Sequence, residues 1–136
     1  TGHQPHPGTG RTVMGEIVQK INIEQVLRGI GVTEIETINP LELEASVSCV
    51  KRMAEKSGVR AIIFKAPCIA VTKPKAPLHV DQGSCIGWEK CIRDLGCPTI
   101  VMNDGKICID ASMCTGCHLC SQVCPVCAIA GGDDHE

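Results

Sequence analysis

The sequence is almost without aromatic residues: its 136 residues include one Trp, one Phe and no Tyr. Any core must therefore be built from Ile, Val, Leu, Ala and Met, and a small domain built that way gains from a cross-link or a metal. A strong excess of either charge is also lacking. The formal net charge is -2, which gives no reason to expect nucleic acid or an anionic membrane surface as partner. No apolar run approaches the roughly 20 residues that cross a bilayer. The first residues, Thr1-Gly2-His3-Gln4-Pro5-His6-Pro7-Gly8, have neither the basic end nor the apolar stretch of a secretory signal. They also lack an initiator Met, as expected of a chain that begins within a longer protein. The expected compartment is the cytoplasm.

What the sequence has in excess is cysteine. Eleven is an odd number, so a fully paired disulfide framework within one chain is excluded. The distribution is lopsided: Cys49 and Cys68 stand alone, and nine cysteines lie between Cys85 and Cys127. Clustered cysteines without a secretion signal favour metal over disulfides.

The first half reads as α/β. Asn22 with Gln25 three residues later marks a helix start, Ile23, Val26, Leu27 and Ile30 form one apolar face, and Gly31 is a stop. Thr33 to Ile38 alternates as a half-exposed strand does. Asn39-Pro40-Leu41-Glu42 predicts a second helix with Asn39 as cap and Pro40 at its first position. Leu43, Val47, Val50 and Ala54 would form its apolar stripe, and Val59 to Phe64 reads as a buried parallel strand. Helix, strand, helix, strand with short links is a partial parallel-sheet unit, too little for a full doubly wound sheet. Ala66 to Val80, with Pro67, Pro74 and Pro77, reads as a linker. The expected domains are 1–77 and 78–136, the second a small α+β ferredoxin-like domain with two cluster sites. Within it Thr99 to Met102 and Lys106 to Ile109 flank Asn103-Asp104-Gly105, a hairpin signal.

Cys114, Cys117, Cys120 and Cys124-Pro125 follow the spacing Cys-x2-Cys-x2-Cys-x3-Cys-Pro. This is the bacterial ferredoxin run, in which three thiolates bind one iron–sulfur cluster and the fourth binds the other. Zinc would be satisfied by two Cys-x2-Cys pairs and has no use for the third cysteine or the Cys-Pro tail. An upstream copy contains Cys85, Cys91 and Cys97-Pro98, with two extra residues before its last cysteine and Trp88 where the second ligand should stand. Crossed pairing predicts one complete site, Cys97 with Cys114, Cys117 and Cys120, for a 4Fe-4S cluster. Cys85, Cys91 and Cys124 leave the other site one thiolate short. That site is open to three outcomes: a 3Fe-4S cluster, a 4Fe-4S cluster rescued by Cys108 or Cys127, or an empty site filled by Trp88.

The opening Thr1 to Gly10, the α/β segment, Ala66-Pro67-Cys68 and the double cysteine run occur together and in this order. In this the sequence resembles the alpha subunit of the indolepyruvate ferredoxin oxidoreductase family. The resemblance implies an enzyme that uses thiamine diphosphate and magnesium to decarboxylate a 2-oxo acid. The acyl group would pass to coenzyme A, and the electrons would leave through iron–sulfur clusters to ferredoxin, with a beta subunit as partner. It places Thr1, Gly2, His3 and Gln4 at the edge of the thiamine diphosphate and substrate site, and residues 1–77 in the C-terminal part of the domain that binds it. The family's magnesium and diphosphate elements are absent, so this segment by itself is expected to be inactive. The competing expectation is a self-standing ferredoxin-like electron carrier, for which the first 77 residues would have no purpose.

Overall fold

The computed structural model describes residues 8–69 and 72–131. The chain divides into two compact units, Thr1–Val71 and Thr72–Glu136, so the division falls inside the proline-containing segment.

In the first unit, the order is α1 (Ile23–Gly29), β1 (Glu34–Ile38), α2 (Leu43–Glu55) and β2 (Arg60–Phe64). Asn22 caps α1 as the sequence predicts: its side-chain oxygen accepts from the backbone N–H of Glu24 at 3.0 Å and of Gln25 at 3.3 Å. The exit is equally legible. Gly31, at φ +94, donates to Arg28 O while Val32 N–H reaches back to Leu27 O at 3.0 Å, a Schellman stop. Strands β1 and β2 pair in parallel, Glu34 opposite Arg60 through Ile38 opposite Phe64, and α2 packs against both.

Three expectations for this unit need correction. Helix α2 starts at Leu43 rather than Pro40, because Asn39 closes a turn instead: its side chain accepts from Leu41 N–H and its carbonyl from Glu42 N–H, both at 3.1 Å. The buried face of α2 is Ser46, Cys49 and Met53, one position away from the stripe of Val47 and Val50, which remain 43% and 44% exposed. The deciding contacts are polar. Ser46 Oγ donates to Asn39 O at 3.0 Å, and Arg52 and Lys56 pair with Glu36 and Glu34 of β1. Strand β2 is parallel as expected but not buried, since the described sheet has two strands and α2 covers one face.

The second unit contains β3 (Leu78–Val80), α3 (Lys90–Arg93), β4 (Ile100–Asn103), β5 (Lys106–Ile109), α4 (Leu119–Val123) and β6 (Ile129–Gly131). It is a strand–helix–strand unit repeated once. The two copies are woven together, because β3 pairs antiparallel with β6 and β4 with β5. The β4–β5 hairpin turns on Asp104 and Gly105, at φ +46 and +73, the pair of positive φ values that a two-residue turn of the right twist requires. Leu78, Cys91, Ile100, Ile107, Cys120 and Ile129 make the core. Two of its six members are cysteines, so cysteine supplies part of the bulk that aromatics would otherwise provide.

Candidate iron–sulfur sites

Each copy presents its cysteines on a loop that enters a short helix, and the loop is set up by an aspartate. Asp81 Oδ1 accepts from Gly83 N–H at 2.9 Å, Asp81 Oδ2 from the Ser84 hydroxyl at 2.5 Å, and Asp81 O from Cys85 N–H at 3.0 Å. Asp110 does the same downstream: Oδ1 accepts from Ser112 N–H at 2.9 Å and its hydroxyl at 2.6 Å, and Asp110 O from Cys114 N–H at 3.0 Å. These bonds, the serine hydroxyls first, hold both carboxyls below their ordinary pKa. Past each first cysteine come a glycine at φ +66 (Gly87) or +67 (Gly116) and a left-handed corner at Glu89 or His118. Left-handed residues at two alternate positions are a feature of loops whose backbone N–H groups can cup an anion.

The loops bring the thiols into two groups. The Cys120 thiol is pushed up to about 11 by burial and then by the neighbouring thiolates of Cys117, Cys114 and, from the other copy, Cys97. The Cys91 thiol is pushed up by burial first, with Cys124 and Cys85 adding to it, against backbone N–H groups of Cys91 and Ile92 that favour its thiolate. Ala128 N–H donates to Cys124 Sγ at 3.2 Å. Cys85, Cys91 and Cys124 line one shallow recess, partly open to solvent, together with Trp88, Ile107 and Pro125. Among the described residues no three His, Cys, Asp or Glu side chains converge closely enough for a single metal ion. A cluster needs its thiolates further apart, because several irons and sulfides lie between them. Two groups of neighbouring cysteines, with backbone N–H groups at the Cys91, Cys120 and Cys124 sulfurs, fit that demand.

The remaining candidates fall elsewhere. Cys108 lies on β5 next to buried Ile107, so strand alternation turns it to the opposite face. Cys127 is exposed, at φ +51. Neither lines the recess. Trp88 lines the recess with 55% of its surface exposed. Thr1, Gly2, His3 and Gln4 lie outside the described residues.

The sequence reading gave no role to Asp81, Asp110, Glu89 or His118. An aspartate four residues before the first cysteine of both copies was the available signal for the first two. The left-handed corner at Glu89 carries no residue-type signal, and the one at His118 only the general enrichment of His at positive φ.

Across the curated relatives, the chain is similar to the indolepyruvate oxidoreductase subunit IorA of Methanothermobacter thermautotrophicus, 40% identical over 131 residues. The alignment takes in 95% of this chain and 21% of that protein. The same subunit of Thermococcus kodakarensis is 35% identical and that of Archaeoglobus fulgidus 33%, each over 92% of this chain and 21% of the relative. By sequence, the chain matches a segment of the IorA subunits. It spans about a fifth of the length of the relatives it matches. No family model matches the chain, and no solved structure does. No helix among the described residues is long and apolar enough to cross a membrane.

Proposed function

We propose that residues 78–136 are the electron-carrying part of a cytoplasmic, thiamine diphosphate-dependent indolepyruvate:ferredoxin oxidoreductase, with residues 1–77 completing its catalytic domain. Cys97, Cys114, Cys117 and Cys120 would hold a 4Fe-4S cluster. Cys85, Cys91 and Cys124 would hold a second cluster, 3Fe-4S or 4Fe-4S. The observation that carries the reading is that Cys97 of one copy lies within reach of Cys114, Cys117 and Cys120 of the other, where burial first and then the neighbouring charges make the Cys120 thiolate costly. Such a group of thiolates is unfavourable by itself and becomes favourable once cationic iron compensates it.

When bound, the clusters supply one-electron redox steps at potentials set by hydrogen bonding and exposure. The chain's own part is to orient the thiolates and to donate amides to their sulfurs. Crossing of Cys97 and Cys124 between the copies fixes the two sites in one core, so their separation is set by the packing of Ile100, Ile107 and Ile129. In the whole enzyme, whose substrates would be a 2-oxo acid and coenzyme A and whose acceptor would be ferredoxin, this unit is the exit path. Thr1 to Gln4 would lie at the edge of the thiamine diphosphate site, whose magnesium and diphosphate groups other parts of the enzyme would hold.

Anaerobic reconstitution with iron and sulfide tests this. The expected product is brown, with acid-labile sulfide matching iron, and Cys114→Ser removes the EPR signal of the reduced complete site. A colourless chain that takes zinc in preference to iron overturns the proposal.

A further inference from the structure

The second cysteine site has lost a ligand without losing the shape that presents one. Gly87 and Gly116 share the same φ to within a degree. Glu89 and His118, the left-handed corners that follow positions 88 and 117, have φ, ψ of +57, +11 and +61, +10. The backbone on either side of Trp88 is therefore that on either side of Cys117. It is also actively held. Trp88 O accepts from Arg93 Nη2 at 2.5 Å, and Glu89 O accepts from the N–H groups of Ile92 and Arg93 at 3.0 Å. A left-handed corner at a glutamate costs about 1 kcal/mol, and it persists here although the ligand it served at position 117 is missing at 88.

Position 88 itself is outside the positive-φ residues, so a cysteine there meets no backbone strain. The indole offers iron nothing, because its nitrogen is a donor only. It lines the recess shared by Cys85, Cys91 and Cys124 with 55% of its surface exposed, and Cys108 and Cys127 do not line that recess.

Resting on the cluster-binding reading above, we propose that position 88 is a preserved ligand position and that the cluster corner facing Trp88 has no protein thiolate. Iron is taken up and released at that corner. One ferrous ion adds to a three-iron core already reduced by one electron, which conserves atoms and charge. Removal of one electron from the four-iron core by an oxidant returns the ferrous ion and the oxidised three-iron core.

The experiment uses the full chain, reconstituted anaerobically. Oxidised protein is expected to give a three-iron EPR signal at about one spin per chain, beside a complete cluster that is silent in that state. Dithionite followed by ferrous ammonium sulfate should abolish the three-iron signal, and ferricyanide should restore it. Trp88→Cys should lack it throughout and hold about one more iron per chain. Wild-type protein with two four-iron clusters and no three-iron signal in any state overturns the inference, because some other group then fills the corner. So does a Trp88→Cys protein that keeps the signal. If that variant does not fold, iron exchange in the wild type decides alone. A wild type holding only the Cys97, Cys114, Cys117 and Cys120 cluster overturns this inference and leaves the proposed function standing, whereas a chain that binds no iron overturns both.

Discussion

Two glycines at matching positions carry different burdens. A Cβ on Gly116 would lie 2.6 Å from Ala76 O and 2.7 Å from Lys75 Cβ, in a left-handed conformation; on Gly87 it would meet nothing within 4 Å. Lys75 N–H also donates to Thr115 O at 3.2 Å, so the proline-flanked segment is pressed against the downstream loop and not the upstream one. Gly87→Ala should therefore cost only the conformational penalty of about 1 kcal/mol and leave cluster content unchanged. Gly116→Ala must displace backbone as well, and should lower iron content at the complete site, read as loss of the reduced EPR signal. The cysteines themselves were legible from spacing alone. This asymmetry was not, since Gly-x spacing is identical in both copies and only the fold brings Lys75 and Ala76 beside one of them.

At the scale of elements, α2 shows why a periodic pattern can mislead by one position. Val47 and Val50 form as good a stripe as any in the sequence, yet the face turned inward is the one that lets Arg52 meet Glu36 and Cys49 sit over it. The Arg52 guanidinium holds the Glu36 carboxyl below its ordinary 4.5, and burial, with Glu36 beside it, pushes the Cys49 thiol above its ordinary 9.0. The signs follow from linkage. Glu36 contributes stability that is present above pH 4.5 and lost as pH falls through its lower folded value. Cys49 contributes stability that is present below pH 9.0 and lost as pH rises through its higher folded value. Thermal melts followed by hydrogen exchange of residues 43–55 should show a plateau between these limits. Glu36→Gln should flatten the acid limb, and a limb unchanged by it would show that another group is responsible. Helix starts fared unevenly for a related reason. Asn22 caps α1 because nothing competes for it, whereas the Asn39 carbonyl is taken up by Glu42 and Ser46, which delays α2 until Leu43.

For the whole molecule, the second unit depends on a core of six residues of which two are cysteines, and burial already disfavours their ionised form. Apolar burial on that scale is slight for a domain this small. If iron compensates the thiolates, chelation should unfold this unit: bathophenanthroline under reducing conditions is expected to erase amide protection at β3–β6 and β4–β5. Retention of that protection in iron-free protein would show that the weave of strands is stable alone. The weave itself follows from repetition. Each copy has one strand before and one after its helix, and neither pair closes within its own copy. Pairing of β3 with β6 and β4 with β5 is what carries Cys97 toward Cys114, Cys117 and Cys120.

The sequence by itself determined the chemistry available: the spacing of Cys114, Cys117, Cys120 and Cys124-Pro125, the hairpin at Asp104-Gly105, the cap at Asn22 and the stop at Gly31. All of these are local, fixed by covalent reach and by the φ each residue tolerates. Tertiary structure decided what local rules leave open. It chose which face of α2 is buried, because the face that buries Cys49 and Met53 also lets Arg52 and Lys56 pair with β1. It turned Cys108 away from the recess, because Ile107 takes the inward place on β5. It also kept the loop around Trp88 in the form of the loop around Cys117, because Arg93 and the helix after it hold that backbone whatever side chain stands at position 88.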